Sequence, residues 1–537
     1  MNLLTSPWIP VRTLSGVHRL ISPLQLYEPD DPPVELNATR ADFNGALAQF
    51  LIALQQLITP EDAASWRKVL NCRSAPDIDQ LRGYAAHFEL DNGPRRFMQD
   101  MDFADAQSGD LSGLLLEAPG GNTVKNNADL FIKRCESMAL SLPLAAQALL
   151  TLQMNAPAGG QGHRTSIRGG GPVSMLLWPE SLDGQPALLW QKAWLNTLVF
   201  KGDQPRPEIV FPWSAPCLTS EKDKDVRTQL HAKSPSEREL AVLCYFATPR
   251  RIRVHWEDEQ ICAFTGDTGP SATTYETRNF GANYKSEQFR HPLSPYYRDK
   301  SGAYLPVHLA DIGFTYADWI TITDSDRANA ALRPPAVFDR ARLGESLNLE
   351  LKDEVVWAFG FLMDNMKCLS WNEARFPRLA FSHDEQRDRV LFEAKSWIAG
   401  TELTRKSLDR QLRAAWTHDG KKGDTSTAQR ELYAMTESAF YAAIQKCIAL
   451  AGDDSSLAAQ HQDLRREWHK TLVKTALTLF ARHAEAGDVA DKNVQAIARA
   501  ATAHKFLILS LGRELKDILA LDVIERAEKA AKRRKAA

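Results

Sequence analysis

The sequence of 537 residues lacks an excess of charge of either sign. Its 65 Lys and Arg residues oppose 67 Asp and Glu residues, which leaves a formal net charge of −2. Without a surplus of basic residues the free chain has little long-range attraction for phosphates, so strong nucleic-acid binding by the chain alone is not expected. Hydrophobic residues make up 44% and charged residues 25%, which is typical of a folded globular protein and excludes a disordered one.

Cysteine is also scarce, and its spacing excludes several kinds of site. The seven cysteines are Cys72, Cys135, Cys217, Cys244, Cys262, Cys368 and Cys447. No two of them form a CxxC pair, so the sequence contains no such zinc or redox motif, and we predict neither a metal nor a cofactor. An odd, sparse set of cysteines indicates reduced thiols and a cytoplasmic protein.

The sequence lacks a segment that would direct it to a membrane. The start, MNLLTSPWIPV, has neither the basic part nor the long apolar part of a signal peptide. Residues 137–162 carry no charge, but Pro143 and Gln147 interrupt their apolar part, which is shorter than the ~20 residues that a membrane span needs. We therefore predict a buried helix in this segment and no membrane partner.

Familiar catalytic motifs are missing as well. The sequence contains no Walker loop, HExxH, GxSxG or Rossmann fingerprint. Two His-Asp dipeptides, His383–Asp384 and His418–Asp419, leave one catalytic alternative open, a metal-dependent HD-type phosphohydrolase or nuclease. Both dipeptides stand in loop-like sequence, where Asp commonly starts or caps a helix. We therefore predict solvated or capping roles and a protein that is not an enzyme.

The amino-acid composition of the chain changes near residue 386, after which proline is absent. Before that point, Pro and Gly punctuate a mixture of helical and strand-like segments. After it, segments rich in Ala, Leu and charged residues form four predicted helices, at about 386–416, 425–451, 456–486 and 488–520. The sequence therefore predicts an α+β fold, with a large irregular mixed body over residues 1–383 and an antiparallel four-helix bundle over residues 384–537.

Apolar residues in the last two predicted helices alternate at spacings of four and three, which is typical of a seam facing a bundle core. The seam of the third helix contains Trp468, Leu472, Ala476 and Leu479. The seam of the last helix contains Ile497, Ala501, His504, Ile508, Leu511, Leu515 and Ile518.

The most unusual segment is NAPAGGQGHRTSIRGGGPVS, residues 155–174, which contains six glycines. Glycine lets a backbone approach another surface closely and adopt a positive φ. Arg164 and Arg168 could bind phosphates from within this segment. The alternative is a turn between a core helix and a strand that binds no ligand.

Two further segments combine basic residues with glycine or aromatic residues. Residues 118–134 join glycines to Lys125, Lys133 and Arg134. Residues 273–297 interleave basic residues with Tyr and Phe. Such interleaving favours nucleic-acid binding, although a solvated strand with a packed inner face produces the same pattern.

Taken in order, these segments resemble one family, the CasA-type large subunit of the type I-E CRISPR surveillance complex, Cascade. NLLTSPWIPV is similar to the N-terminal block of the family, EAPGGNT…NNAD to its loop L1, and NAP…GG…G…RGGGPV to its glycine loop. FGANY…HPLSPYY and FGFLMDNMKCLSW match two further blocks, and the predicted bundle lies at the expected C-terminus. The resemblance covers the whole chain.

The resemblance implies a non-catalytic DNA reader. Members of this family recognise the protospacer-adjacent motif (PAM) in duplex DNA, mainly from the minor groove, and separate the strands so that guide RNA can pair with the target. The resemblance thus implies that the partners are the other Cascade subunits, CRISPR RNA, double-stranded target DNA and the effector helicase–nuclease.

The resemblance also implies a set of site residues, carried over by position. Those that would face the PAM are Gly159, Gly160, Gln161 and Gly162 in the glycine loop, with Arg164 beside them. The basic finger of the family falls near Arg278 or Phe280, with Lys285 as a basic neighbour. The strand-separating wedge falls at Asn365, Met366 and Lys367. The loop L1 residues that would bind guide RNA within the complex are Asn122, Thr123, Lys125, Asn126 and Asn127.

One other interpretation stays open. A pure scaffold protein, whose bundle only packs against neighbouring subunits, would share the predicted fold. In that case substitutions in the glycine loop would leave DNA affinity unchanged.

Overall fold

The computed structural model describes residues 1–101, 106–119, 121–129, 138–160, 162–320, 332–338, 355–364, 366–377, 381–417, 423–450, 454–485 and 494–521. The chain divides into two compact units. The first comprises Met1–Leu309 and Ser325–Arg378, and the second comprises Ala310–Asp324 and Leu379–Ala537. Strands and helices mix in the first unit and long helices dominate the second, which confirms the α+β fold class.

The first unit contains short strands joined by long connections. Its strands are β1 (Ile9–Thr13), β2 (His18–Ile21), β3 (Pro33–Leu36), β4 (Gln107–Asp110), β5 (Leu140–Ser141), β6 (Ser174–Leu177), β7 (Ser181–Leu182), β8 (Gln185–Pro186), β9 (Arg251–Ile261), β10 (Thr268–Arg278), β11 (Tyr296–Arg298), β12 (Tyr304–Pro306), β13 (Leu332–Arg333), β14 (Val355–Asp364) and β15 (Lys367–Pro377). They pair antiparallel in small sheets ordered β2-β1-β3, β4-β10-β5 with β9 beside β10, β12-β11-β13, β15-β14-β6 and β7-β8.

Helices fill the core of this unit. They are α1 (Ala41–Leu57), α2 (Ala63–Asn71), α3 (Asp79–Arg82), α4 (Gly121–Lys125), α5 (Leu142–Asn155), α6 (Leu189–Trp194), α7 (Pro207–Val210), α8 (Val226–Leu230) and α9 (Glu237–Phe246). Helix α5 is buried from Leu144 to its last residue, as the uncharged stretch predicts. Pro143 stands in its first turn, where a missing N–H costs no hydrogen bond. Among the described residues, no helix is long and apolar enough to cross a membrane.

An aromatic cluster joins the N-terminal block to these helices. Phe50 of α1 meets Trp8 edge-to-face, with ring centroids 5.2 Å apart. The same ring meets Phe97 at 5.9 Å and Phe246 of α9 at 6.3 Å. Trp8 donates from Nε1 to the Leu3 carbonyl at 2.8 Å, so its one polar atom is satisfied inside the core. The N-terminal block is therefore a core element.

The second unit is built around four long helices in its described part. They are α10 (Asp384–Trp416), α11 (Ser426–Ala449), α12 (Asp454–Phe480), which a π-helical turn continues, and α13 (Val494–Ile518). Gln386 at the start of α10 donates to the Ile448 carbonyl at the end of α11 at 2.9 Å, so these two helices are antiparallel. Arg465 of α12 binds Glu393 of α10 at 2.6 Å. The predicted four-helix bundle is confirmed.

A segment from outside the bundle packs into it. Residues 310–324 fall within the body predicted over residues 1–383, but the structure groups them with the second unit. Tyr316 stacks on Phe440 with ring centroids 4.4 Å apart and donates to Thr401 Oγ1 at 3.0 Å. Trp319 is fully buried. These aromatic side chains find their apolar surroundings among the helices, which a boundary drawn from proline content does not reveal.

Of the two apolar seams predicted for α12 and α13, one is confirmed and the other is partly wrong. That of α12 is confirmed, because Trp468, Leu472, Ala476 and Leu479 are all buried. That of α13 is wrong at four positions, because Ile497, Ile508 and Ile518 are 38%, 50% and 39% exposed and Ala501 is exposed as well. The buried residues of α13 follow a spacing of four instead, at Ala503, Leu507, Leu511 and Leu515. A spacing of four keeps one ridge of side chains in contact with the neighbouring helices.

Asp318 makes the stability of this unit depend on pH. Burial raises its pKa from the ordinary 3.8 to about 6. A carboxyl that stays protonated to higher pH in the folded chain stabilises the fold most below pH 4, and this contribution, about 3 kcal/mol, is lost as the pH rises through 6. We expect the melting temperature of Asp318→Asn, measured relative to that of the parent chain, to be higher at pH 8 than at pH 4. Melting curves that shift in parallel would contradict this.

Candidate nucleic-acid interface

The glycine loop connects α5 to β6 and is exposed at its apex. Ala158, Gly159 and Gly160 are exposed, whereas the loop is buried from Ser166 to Arg168. Gly160 has a φ of +84° and Gly162 a φ of +79°, a left-handed backbone that side chains rarely adopt. A Cβ at Gly160 would meet nothing within 4 Å. Gln161, also predicted for this site, lies outside the described residues.

The loop is fixed at Gly162 by a crossing of three backbone segments. Gly281 N–H donates to the Gly162 carbonyl at 3.0 Å. A Cβ at Gly162 would collide with the backbone nitrogen of Phe280, and one at Gly281 would collide with the Pro249 carbonyl. Glycine is required at both positions because the backbones lie too close for any side chain. The crossing brings the glycine loop and the end of β10 together.

The prediction that Arg168 could bind phosphate is wrong. Its side chain is 2% exposed and lies inside the loop. It donates to Ser174 Oγ at 2.7 Å, to Gln49 Oε1 at 2.8 Å and to Ser294 Oγ at 3.0 Å. Burial lowers its pKa to about 10. Its role is to join the loop to α1, β6 and the HPLSPYY block, because one planar guanidinium serves all three acceptors.

Arg164 remains near the surface. It is half-buried, and its Nε donates to Ser220 Oγ at 2.9 Å. The backbone of Ser220 in turn donates to the Phe280 carbonyl at 3.2 Å. Arg164 therefore supports the same crossing from the outer side.

The three candidates for the groove-entering finger differ in accessibility. Arg278 ends β10, where it pairs with Arg251 and is half-buried. Lys285 lies 3.6 Å from Asp225 Oδ2, so an acidic partner already offsets its charge. Phe280 is 47% exposed and has a φ of +59°. A left-handed backbone at a bulky residue is a strained conformation that surrounding contacts must hold.

The hairpin of β14 and β15 carries the predicted wedge at its tip. Met366 is 56% exposed and Lys367 is also exposed, while Asn365 lies outside the described residues. A Cβ at Gly171 of the glycine loop would collide with the Phe361 carbonyl of β14 at 2.7 Å. The structure therefore places β14 directly against the end of the glycine loop.

The predicted loop L1 site forms a short helix with a defined end. Helix α4 ends at Lys125, and Asn127 adopts a φ of +50°. Ala128 N–H donates to the Thr123 carbonyl at 2.9 Å and Asn127 N–H to the Val124 carbonyl at 3.1 Å, the hydrogen bonds of a Schellman motif. Lys125, Asn126 and Asn127 are exposed. The side chain of Asn122 lies outside the described residues.

Sequence reasoning missed Arg250, which lies under the loop apex. Its Nη2 donates to the Pro157 carbonyl, and its backbone exchanges hydrogen bonds of 3.0 Å with the Gln153 amide. A Cβ at Gly159 would lie 2.6 Å from Nη1. Burial lowers the pKa of Arg250 to about 10, so the group stays charged at neutral pH. The only sign of this residue in the sequence was the cluster of basic residues around the start of β9.

The catalytic alternative gains no support from the described residues. His383 caps α10, with its Nδ1 accepting from Gln386 N–H at 3.2 Å, as the capping interpretation predicts. The side chain of Asp384 and the dipeptide His418–Asp419 lie outside the described residues. Within the described part of the chain, no three His, Cys, Asp or Glu side chains are grouped as metal ligands would be.

Comparison with known structures gives the class of the protein. The chain is similar to CasA of Thermus thermophilus, with a TM-score of 0.64 and 16% identity, over 95% of this chain and 99% of that one. It is similar to Cse1 of Thermobifida fusca, with a TM-score of 0.65 and 17% identity, over 97% and 98%. A chain of a CRISPR RNA-guided surveillance complex matches with a TM-score of 0.64 and 12% identity, over 95% and 99%.

These similarities show that the chain has the fold of a CasA-type protein. The family model of the CRISPR-associated protein Cse1 matches residues 2–479, and the chain belongs to this family. The resemblance to the large subunit of the type I-E complex is confirmed.

The loop depends on its buried arginine. We expect Arg168→Met to lower the free energy of unfolding by about 2–4 kcal/mol, because three buried acceptors lose their donor. Chemical denaturation of the full chain measures this. Arg164→Gln, which affects one half-exposed contact, should cost less than about 1 kcal/mol. Equal losses for the two variants would contradict the assignment.

Proposed function

We propose that this chain recognises the PAM of double-stranded target DNA from the minor-groove side. The observation that carries the proposal is the apex of the glycine loop, where Gly159 and Gly160 present backbone without side chains. The minor groove of B-DNA is about 6 Å wide, so a bare backbone can approach base edges that bulkier residues could not reach. Membership of the Cse1 family supports the same function.

A rigid loop suits this task. The crossing at Gly162 and the guanidinium of Arg168 fix the loop before DNA arrives, so less conformational entropy is lost on binding. The minor groove distinguishes base pairs poorly, and a few backbone contacts therefore give a permissive reader that accepts several related motifs.

The side chain that enters the groove in this proposal is Phe280. Its aromatic ring is exposed beside the glycine loop, whereas Arg278 is half-buried and Lys285 is paired. Apolar side chains inserted at a base step from the minor groove unstack it at a cost of a few kcal/mol, which contacts to the bent duplex offset. Arg164 would bind phosphate beside it.

The hairpin tip would then separate the strands. Met366 lies in the turn between β14 and β15 and Lys367 is the first residue of β15, with Asn365 just before them in sequence. Exchange of a DNA duplex for an RNA–DNA duplex is close to balanced, so modest contacts at the PAM edge can decide where opening begins. An apolar Met366 at the junction would favour the unstacked state.

The remaining partners follow from the assembly. Lys125, Asn126 and Asn127 of loop L1, with Asn122 and Thr123, would bind guide RNA and neighbouring Cascade subunits. The chain would act as a non-catalytic subunit in the cytoplasm and recruit the helicase–nuclease to the opened target. Similarity to a chain of a CRISPR RNA-guided surveillance complex supports assembly of this kind.

A bulky residue at Gly160 tests the loop. We expect Gly160→Leu to lower target binding by the assembled complex at least tenfold while assembly stays intact, because the added side chain blocks the approach to the groove. Binding to PAM-bearing duplex, measured by fluorescence anisotropy, is the readout.

The matched control is Gly184→Leu. Gly184 also has a positive φ, +74°, and also faces open space, but it lies in the turn between β7 and β8. This variant carries the same backbone strain and should bind DNA normally. Unchanged binding by the Gly160 variant would rule out the loop as the reader and favour a pure scaffold.

Met366 tests strand separation separately from recognition. We expect Met366→Ala to slow opening of a fully paired target several-fold, while binding to a target with a pre-opened bubble beside the PAM stays normal. Opening is followed by fluorescence of a base analogue next to the PAM. Leu369→Ala is the control, because Leu369 is equally exposed, at 56%, three residues along the same hairpin. Equal slowing in both variants would refute the wedge assignment.

A further inference from the structure

Arg250 is a half-buried cation without an acidic partner among the described residues. Burial lowers its pKa, and Tyr275 raises that pKa more weakly. Its hydrogen bonds go to the Pro157 carbonyl and, through the backbone, to Gln153. Among the described residues no carboxylate forms an ion pair with it, although buried charges in proteins are usually paired.

The guanidinium is held by one edge only. Nη2 donates to the Pro157 carbonyl, Nε finds no acceptor, and Nη1 donates to no atom of the described residues. The Nη1 edge lies just beneath Gly159, close enough that a Cβ there would come within 2.6 Å. The guanidinium therefore fills the space that a side chain at Gly159 would take and lies directly behind the bare backbone there, a place that we call the window at Gly159.

The described groups that line this window add no negative charge. His163 lines it from the loop, with its Cβ 2.7 Å from the position of a Gly159 Cβ. Burial, and then the charge of Arg250, lowers the pKa of His163, so the imidazole is neutral at neutral pH. The apex of the glycine loop therefore carries a positive charge directly behind exposed backbone, and no carboxylate of the described residues pairs with it.

We infer that Arg250 binds a backbone phosphate of the target duplex through the window at Gly159. The inference rests on the proposed function, since it takes the glycine loop to face DNA. A guanidinium held in place on one side and free on the other loses little entropy when it binds an anion. A phosphate would supply the missing counter-charge and accept from Nη1. The contact is independent of base sequence and complements the sequence-dependent reading by the loop apex.

The test compares charge at position 250 in the assembled complex. Affinity for PAM-bearing and PAM-free duplexes is measured from 50 to 300 mM salt for Arg250→Gln and Arg250→Lys. We expect the Gln variant to lose about tenfold in affinity for both duplexes and to lower the slope of log affinity against log salt by about 1. The Lys variant keeps the charge and should keep the slope.

Arg238→Gln is the matched structural control. Arg238 is buried and, like Arg250, donates to backbone carbonyls, those of Leu57 and Thr59 at 2.8 and 2.9 Å, and its hydrogen bonds do not include the glycine loop. It should lower the melting temperature without changing the salt slope. Equal salt slopes for the Gln and Lys variants at position 250 would overturn the inference, because charge would then not matter.

The outcomes separate this inference from the proposed function. A loss of affinity confined to PAM-bearing duplex would overturn the phosphate assignment, because a phosphate contact does not depend on sequence. If the Gly160 variant loses PAM preference while Arg250→Gln leaves the salt slope unchanged, the proposed function stands and the phosphate contact fails. If the parent complex shows no PAM preference, the proposed function fails, whatever Arg250 does.

Discussion

The candidate interface depends on one close crossing of backbones. Gly162, Phe280 and Gly281 meet where the glycine loop passes the end of β10, with the Pro249 carbonyl against the other side of Gly281. No residue with a Cβ fits at either glycine. The crossing sets the height of the loop apex and holds Phe280 in a left-handed backbone. It also places Arg250, the residue after Pro249, beneath the loop. A single steric constraint therefore positions the exposed backbone, the exposed ring and the half-buried charge together.

The positions of individual charged residues matter more for DNA binding by this protein than its net charge does. The net charge of −2 gives the free chain little attraction for DNA. Arg168 and Arg250 nevertheless lie close to the glycine loop without carboxylate partners among the described residues. The first is sealed inside and ties elements together, whereas the second has an open edge. Within an assembly, the guide RNA and the other subunits would supply the rest of the field, so the free chain can remain a weak binder.

Sequence patterns predicted the elements whose signal is local. Loss of proline after Pro377 and apolar periodicity located the first three of the four helices to within a few residues, and the glycine loop was recognisable from its composition. Contacts between distant residues were not predictable in this way. Tyr316 belongs with the helices because of partners 85 and 120 residues away, and the buried stripe of α13 follows neighbours that its own sequence does not specify. Arg168 resembled a phosphate ligand because its three acceptors come from separate parts of the chain.

Selection of targets by the assembled complex tests the central claim most directly. A library of duplexes with randomised PAM positions is offered to complex assembled with this chain and to complex assembled without it. The account predicts that a small set of related PAMs is enriched only when the chain is present. Enrichment of the same PAMs without the chain would contradict it, because another subunit would then be the reader.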